Sequence, residues 1–168
     1  FLKDMGIRIA IQGIQGLFHP QVAQNYFGET IVLDTCKTFK DVVSSLKNKE
    51  AEKGVMALEN SIAGALLPNY ALIDSGNLHI IGEYFLDIHL NVLALPGQQI
   101  SDISEVHSHP IALLQCAVFL DQYPHIKLVE SSDTAIAAKH IQENQLIGIA
   151  ALASPVAASI YNLNTLAD

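Results

Sequence analysis

The sequence predicts an α/β fold built on mostly parallel sheet. Three observations carry this reading. Short apolar runs alternate with amphipathic helical segments along the chain, the pattern of parallel strands joined by helical crossovers. Hydrophobic residues make up 50% of the 168 and mean hydropathy is +0.30, ample for a packed core and too apolar for a disordered chain. Two apolar runs end abruptly in polar words, Glu59-Asn60-Ser61 and Ser108-His109-Pro110. Such endings put hydrogen-bonding groups at strand C-termini beside helix N-termini, where open α/β sheets bind ligands.

The elements follow in order. Ile7 to Gln12 reads as a first strand, entering Gly13-Ile14-Gln15-Gly16-Leu17-Phe18-His19 and a helix from Pro20 to Phe27, with proline suited to a first helical position. Ile31 to Leu33 is a second strand. Thr38-Phe39-Lys40-Asp41 resembles a capping box with Asp in place of Glu or Gln. The helix it opens shows Phe39, Val42, Val43 and Leu46 at helical spacing. Val55 to Leu58 reads as a buried strand, and 66–75 as a helix closed by Gly76. His79 to Leu86 and Asn91 to Leu95 read as strands, with Pro96-Gly97 a turn. Val106 to Ser108 is a brief strand before a helix from Pro110 to Gln122. Lys127 to Glu130 is a strand, and Ser131 to Thr134 caps a helix containing Ile136, Ala137, His140 and Ile141. Leu146 to Ala150 is a strand, and Ser154-Pro155 starts the last helix as N-cap and first residue.

Bulk properties narrow the function. Seventeen acidic residues against nine basic give a net charge of −8, which disfavours nucleic acid and anionic membrane as partners. No apolar run reaches the roughly 18 residues of a membrane span, and Phe1-Leu2-Lys3-Asp4 is no signal-peptide core. Position 1 is not Met. Cys36 and Cys116 have neither metal nor disulfide spacing, which reads as reduced thiols in a cytoplasmic protein. His107-x-His109 lacks a third ligand at a supporting spacing. No metal and no cofactor are expected.

Each polar constellation has a plain structural reading beside a functional one. Gly13-x-x-Gly16 lacks the third glycine of a dinucleotide fingerprint and the lysine of a P-loop, and suits an ordinary strand-to-helix turn. Glu59-Asn60-Ser61 offers three hydrogen-bonding side chains in a row, and an N-cap explains one of them. Ser108 and Gln115, seven apart, would share one face about 10 Å apart if both were helical, either lining a cavity or simply solvated. Asp133-Thr134 sits at a helix start, which suits capping and an anion alike. Cys116 has no general base nearby in sequence, which argues against a thiol nucleophile.

Glu59-Asn60-Ser61-Ile62-Ala63-Gly64, then Ser108-His109-Pro110, then Gln115-Cys116, in this order, resemble the catalytic domain of the prephenate dehydratase family over nearly the whole chain. The resemblance implies a two-lobe fold of the periplasmic-binding-protein type (type II), with a cleft between the lobes. Lobe 1 would comprise residues 1–85 plus 155–168, and lobe 2 residues 86–154. It implies the conversion of prephenate to phenylpyruvate, with loss of carbon dioxide and water, in L-phenylalanine biosynthesis. Asn60, Ser61, Ser108, Gln115 and Thr134 would serve the chemistry. Glu59, Gly64, His109 and His19 would bind or support the substrate. A homodimer is implied as well.

The chain departs from the family pattern in three places. Ile14 and Leu17 stand where Pro and Thr are common, so a hydroxyl is lost at Leu17, with His19 available to replace part of its role. Arg8 is the single arginine, although the substrate is a dianion and arginine is the usual carboxylate clamp. The family's Thr-Arg-Phe word, which assists the leaving hydroxyl and pairs a carboxylate, occurs nowhere in the sequence. The expectation is a chain truncated before that word, without the phenylalanine-binding regulatory domain, and inactive as it stands. The alternatives are a binding module for a small carboxylate, without chemistry, and a dehydratase acting on arogenate.

Overall fold

A computed structural model describes residues 6–14 and 17–168; Gly16 of the Gly13-x-x-Gly16 word lies outside them. The chain divides into two units, the first comprising the residues through Ile14 with Phe18–Leu86, and the second Asp87–Asp168 together with Leu17.

The first unit contains, in order, β1 (Ile7–Gln12), α1 (Phe18–Phe27), β2 (Ile31–Cys36), α2 (Phe39–Lys47), β3 (Lys53–Val55), β4 (Glu59–Asn60), β5 (Gly64–Ala65) and α3 (Leu67–Ser75). Its main sheet is parallel, in the order β2-β1-β3. β1 is central and covered on both faces, as parallel strands require. Ile9 and Ile11 point to one side, with Ala23 of α1, while Ala10 points to the other, with Val42 of α2. Burying an isoleucine fully contributes roughly 2–3 kcal/mol, so Ile9 and Ile11, both 0% exposed, anchor this sheet. The Thr38 capping box is present. Thr38 Oγ1 accepts from Asp41 N over 3.1 Å, and Asp41 Oδ2 accepts from Thr38 N over 3.0 Å.

The second unit contains β6 (Asn91–Ala94), a 3-10 turn (Ile100–Asp102), β7 (Glu105–Ser108), α4 (Pro110–Gln115), α5 (Ala117–Leu120), β8 (Lys127–Glu130), α6 (Thr134–Glu143), β9 (Ile149–Ala153), α7 (Pro155–Tyr161) and β10 (Asn164–Ala167). Its sheet has the order β10-β6-β9-β7-β8. β7 pairs parallel with β8 and β9, whereas β6 runs antiparallel to β9 and β10. Alternation along β6 and β9 divides the core. Val92, Ala94, Ala150 and Leu152 face one cluster with Leu113 and Leu120. Leu93, Ala151 and Ala153 face the other, with Ala138 and Ile141 of α6. The same order, second-first-third, builds both sheets: β2-β1-β3 and β8-β7-β9. The fold is the expected two-unit α/β type.

Several expectations need correction. Residues 155–168 belong to the second unit rather than to lobe 1, because β10 pairs with β6 and α7 packs beside α6. The second sheet is mixed, not mostly parallel. The strand expected at 55–58 stops at Val55, since α3 takes up the carbonyls of Ala57 and Leu58. The helix expected over 110–122 breaks at Cys116, with φ −99° and ψ 10°. The strand expected at 146–150 is displaced to Ile149–Ala153. Residues 79–86 form no strand. They are instead held by side chains, with Asn25 Nδ2 donating to Tyr84 Oη over 3.0 Å and Gly82 lying against the Tyr26 hydroxyl, where a Cβ would clash.

Candidate functional site

In the first unit the Glu59–Gly64 word folds as a hairpin instead of starting a helix. Glu59 pairs with Ala65, and Asn60 with Gly64. The turn closes on Asn60, whose Oδ1 accepts from Ile62 N over 2.8 Å and Ala63 N over 3.0 Å, an Asx turn. Gly64 has φ +71°, a left-handed conformation strained for residues with a Cβ. The turn uses only the carboxamide oxygen of Asn60 and leaves the two donors of Nδ2 to other partners. Ser61 sits exposed at the tip.

The helix that follows holds this hairpin. Asn69 Nδ2 donates to Ala57 O over 2.8 Å, and Leu66 N to Leu58 O over 2.8 Å. Tyr70 Oη donates to Glu59 Oε1 over 3.0 Å. Sequence reasoning passed over Asn69 and Tyr70. The available signal was an asparagine on the inner side of a helix, because a buried amide needs a partner.

His19, on α1, packs edge-on against Phe39, with ring centroids 5.3 Å apart. Burial lowers its pKa from 6.5 to about 4, so the imidazole is neutral near pH 7, with one donor and one acceptor nitrogen. Among the described residues no hydrogen bond joins it to the hairpin. Arg8 lies in β1, exposed, four residues before the strand's C-terminal end at Gln12. At roughly 3.3 Å per residue that is about 13 Å from the end where the sheet presents its loops.

In the second unit the neighbouring strands β7 and β8 end in register, Ser108 opposite Glu130. Ser131 N donates to Ser108 O over 2.8 Å. Each strand then leads to a helix start. His109 caps α4, its Nδ1 accepting from Ile111 N over 3.2 Å. Asp133 caps α6, its Oδ1 accepting from Ala135 N over 2.8 Å and Ile136 N over 3.4 Å. Burial raises the Asp133 pKa, opposed by those two bonds and by nearby His109. Thr134 is buried, and its Oγ1 is the one buried side-chain oxygen without a hydrogen-bond partner among the described residues. Leaving such a hydroxyl unpaired costs free energy, so this atom points to a missing partner.

Ser108 behaves otherwise. It is 0% exposed, and its Oγ donates to Leu152 O over 2.7 Å. Ser108 and Gln115 do not form one polar stripe, because Ser108 belongs to β7 and the helix begins only at Pro110. Gln115 is the half-buried last residue of α4. Burial raises the Cys116 thiol's pKa, which keeps it protonated and a weak nucleophile. His107 is taken by Glu105, with Nε2 to Oε2 2.8 Å, and Lys127 Nζ reaches Glu105 Oε1 over 3.2 Å. Among the described residues no three His, Cys, Asp or Glu side chains are grouped to hold a metal.

Comparison with known proteins bears directly on this geometry. The family model described as prephenate dehydratase matches residues 9–168. Arogenate dehydratase 4, chloroplastic, of Arabidopsis thaliana is 36% identical over 168 residues, covering 99% of this chain and 39% of the relative. The chain thus spans well under half the length of that protein. A prephenate dehydratase from Arthrobacter aurescens, solved in complex with L-Phe, superposes with a TM-score of 0.88 at 27% identity, covering 96% of this chain and 55% of that one. A structure titled GqqA, a novel type of quorum quenching acylase, superposes with a TM-score of 0.83 at 29% identity, covering 95% and 57%. With its Glu59–Gly64 hairpin, its paired helix starts at His109 and Asp133, and a family match over nearly its full length, the chain belongs to the prephenate dehydratase family.

Proposed function

We propose that the protein carrying this chain is a dehydratase that converts prephenate to phenylpyruvate in L-phenylalanine biosynthesis. In this reaction the bond to the ring carboxylate breaks and carbon dioxide leaves. The released electron pair completes the aromatic ring, and hydroxide departs from the opposite carbon, taking up a proton to become water. The protein must orient the carboxylates and donate hydrogen bonds to the developing hydroxide. The observation that carries the reading is Thr134 Oγ1, a buried hydroxyl without a partner at the start of α6 in a chain of this family.

In this reading Asn60, Ser61, Gln115 and Thr134 contact substrate. Glu59, Gly64 and His109 hold the backbone that presents them, and His19 contributes a neutral imidazole. Ser108, assigned to the chemistry from sequence, is better supported as a structural donor by its bond to Leu152. An acylase activity of the covalent kind, as one reading of the GqqA name, would need an activated nucleophile; burial raises the Cys116 thiol's pKa and the Ser108 hydroxyl donates to Leu152 O, so neither supports that role.

Arogenate differs from prephenate in one side-chain group and is the substrate named for the Arabidopsis relative. Steady-state turnover of both compounds by the full-length protein tests the function. Prephenate turnover, lowered by Asn60→Ala and Gln115→Ala with melting temperature unchanged, supports it. Turnover of arogenate alone reassigns the substrate. Binding of either compound without turnover favours the non-catalytic binding module.

We further propose a homodimer in the cytoplasm. Exposed Ile80, Ile81 and Phe85 support self-association, and no helix among the described residues is long and apolar enough to cross a membrane. The Arabidopsis relative is named chloroplastic, so localisation in the source cell decides the compartment, and sedimentation the oligomer.

A further inference from the structure

A hairpin of two residue pairs does not hold its own geometry in water, so the β4–β5 hairpin must be set from outside. Three hydrogen bonds from residues 66–70 reach three successive residues. Leu66 N bonds Leu58 O, Asn69 Nδ2 bonds Ala57 O, and Tyr70 Oη bonds Glu59 Oε1. The first two stop at the base, before the hairpin begins. Only the Tyr70 bond reaches a paired residue, Glu59, opposite Ala65. Asn60 follows directly and closes the turn. Successive strand residues point to opposite faces, so holding Glu59 on one face orients Asn60 toward the other.

We propose that Tyr70 is a positioning residue for Asn60, acting through the Glu59 carboxylate and the β4–β5 pairing; this rests on Asn60 being a substrate contact. Tyr70 is 36% exposed and belongs to none of the core clusters among the described residues, so its hydroxyl, rather than core packing, carries the effect. Tyr70→Phe deletes that hydroxyl and little else.

The test is amide hydrogen exchange by NMR on the full-length protein, with prephenate titration beside it. In Tyr70→Phe, exchange at Ile62 and Ala63 should quicken by about tenfold and prephenate affinity fall by about tenfold. Exchange at Ile9 and Ile11 and the melting temperature should stay as in the parent. Glu59→Gln, which keeps an oxygen acceptor for Tyr70, should preserve most of the protection, and Glu59→Ala should lose it. Unchanged exchange at Ile62 and Ala63 in Tyr70→Phe would overturn the proposal. So would a uniform rise across the first unit with a lowered melting temperature, which marks a merely structural tyrosine. A full-length parent that fails to bind prephenate would sink the dehydratase reading, while the exchange data would still decide whether Tyr70 orients the Asn60 turn.

Discussion

Asp133 and Thr134, adjacent at the start of α6, are in opposite hydrogen-bonding states. The Asp133 carboxylate accepts two backbone N–H groups, while the buried Thr134 hydroxyl has no partner among the described residues. Capping is complete without Thr134, so its hydroxyl is surplus to the helix.

Replacing Thr134 by Val should therefore separate stability from binding. The isosteric methyl removes a buried unpaired hydroxyl, which relieves about 1 kcal/mol and should raise the melting temperature by a few degrees. Prephenate affinity, read by calorimetry, should drop by about tenfold or more. A lower melting temperature with unchanged affinity would show instead that the hydroxyl serves the fold.

Ser108→Ala should behave the other way. It leaves the Leu152 carbonyl, 44 residues away and buried in the sheet, without its side-chain donor. The cost should be roughly 1–3 kcal/mol, seen as a lower denaturant midpoint with an unchanged slope. Full stability with lost affinity would return Ser108 to the substrate.

His19 makes stability depend on pH. Its folded pKa of about 4 lies below the ordinary 6.5. As pH falls below 6.5, the unfolded chain takes up a proton that the folded chain refuses. Stability from this group is full above pH 6.5, declines between 6.5 and about 4, and levels off below. The loss should approach about 3 kcal/mol. Asp133 works in the opposite sense. Its raised pKa gives a contribution present at low pH and lost as pH rises through the folded value. Comparing urea unfolding of the parent and His19→Leu from pH 7 to pH 4 isolates the histidine. Parallel curves for the two proteins would show that His19 is solvated.

Local features were legible in the sequence. Thr38 with Asp41, and Ser154 with Pro155, cap α2 and α7 as their spacing predicts, because a cap joins groups three residues apart. The alternation of strand and helix was legible for the same reason, since Ile9, Ala10 and Ile11 address two cores through the period of a strand.

What the sequence by itself determined was therefore the α/β class, most element positions, and the polar words Glu59-Asn60-Ser61 and Ser108-His109-Pro110. Tertiary structure alone decided the rest. Residues 79–86 read as a strand but have no ladder, because strand character belongs to a pair and no neighbour among the described residues offers its N–H and C=O groups. Asn164–Ala167 became β10 because the β6 edge was available to it. Ser108 was spent on Leu152, and Tyr70 was recruited to Glu59. Each of these depends on which distant group the folded chain brings within about 3 Å, and hydrophobic periodicity carries no such information.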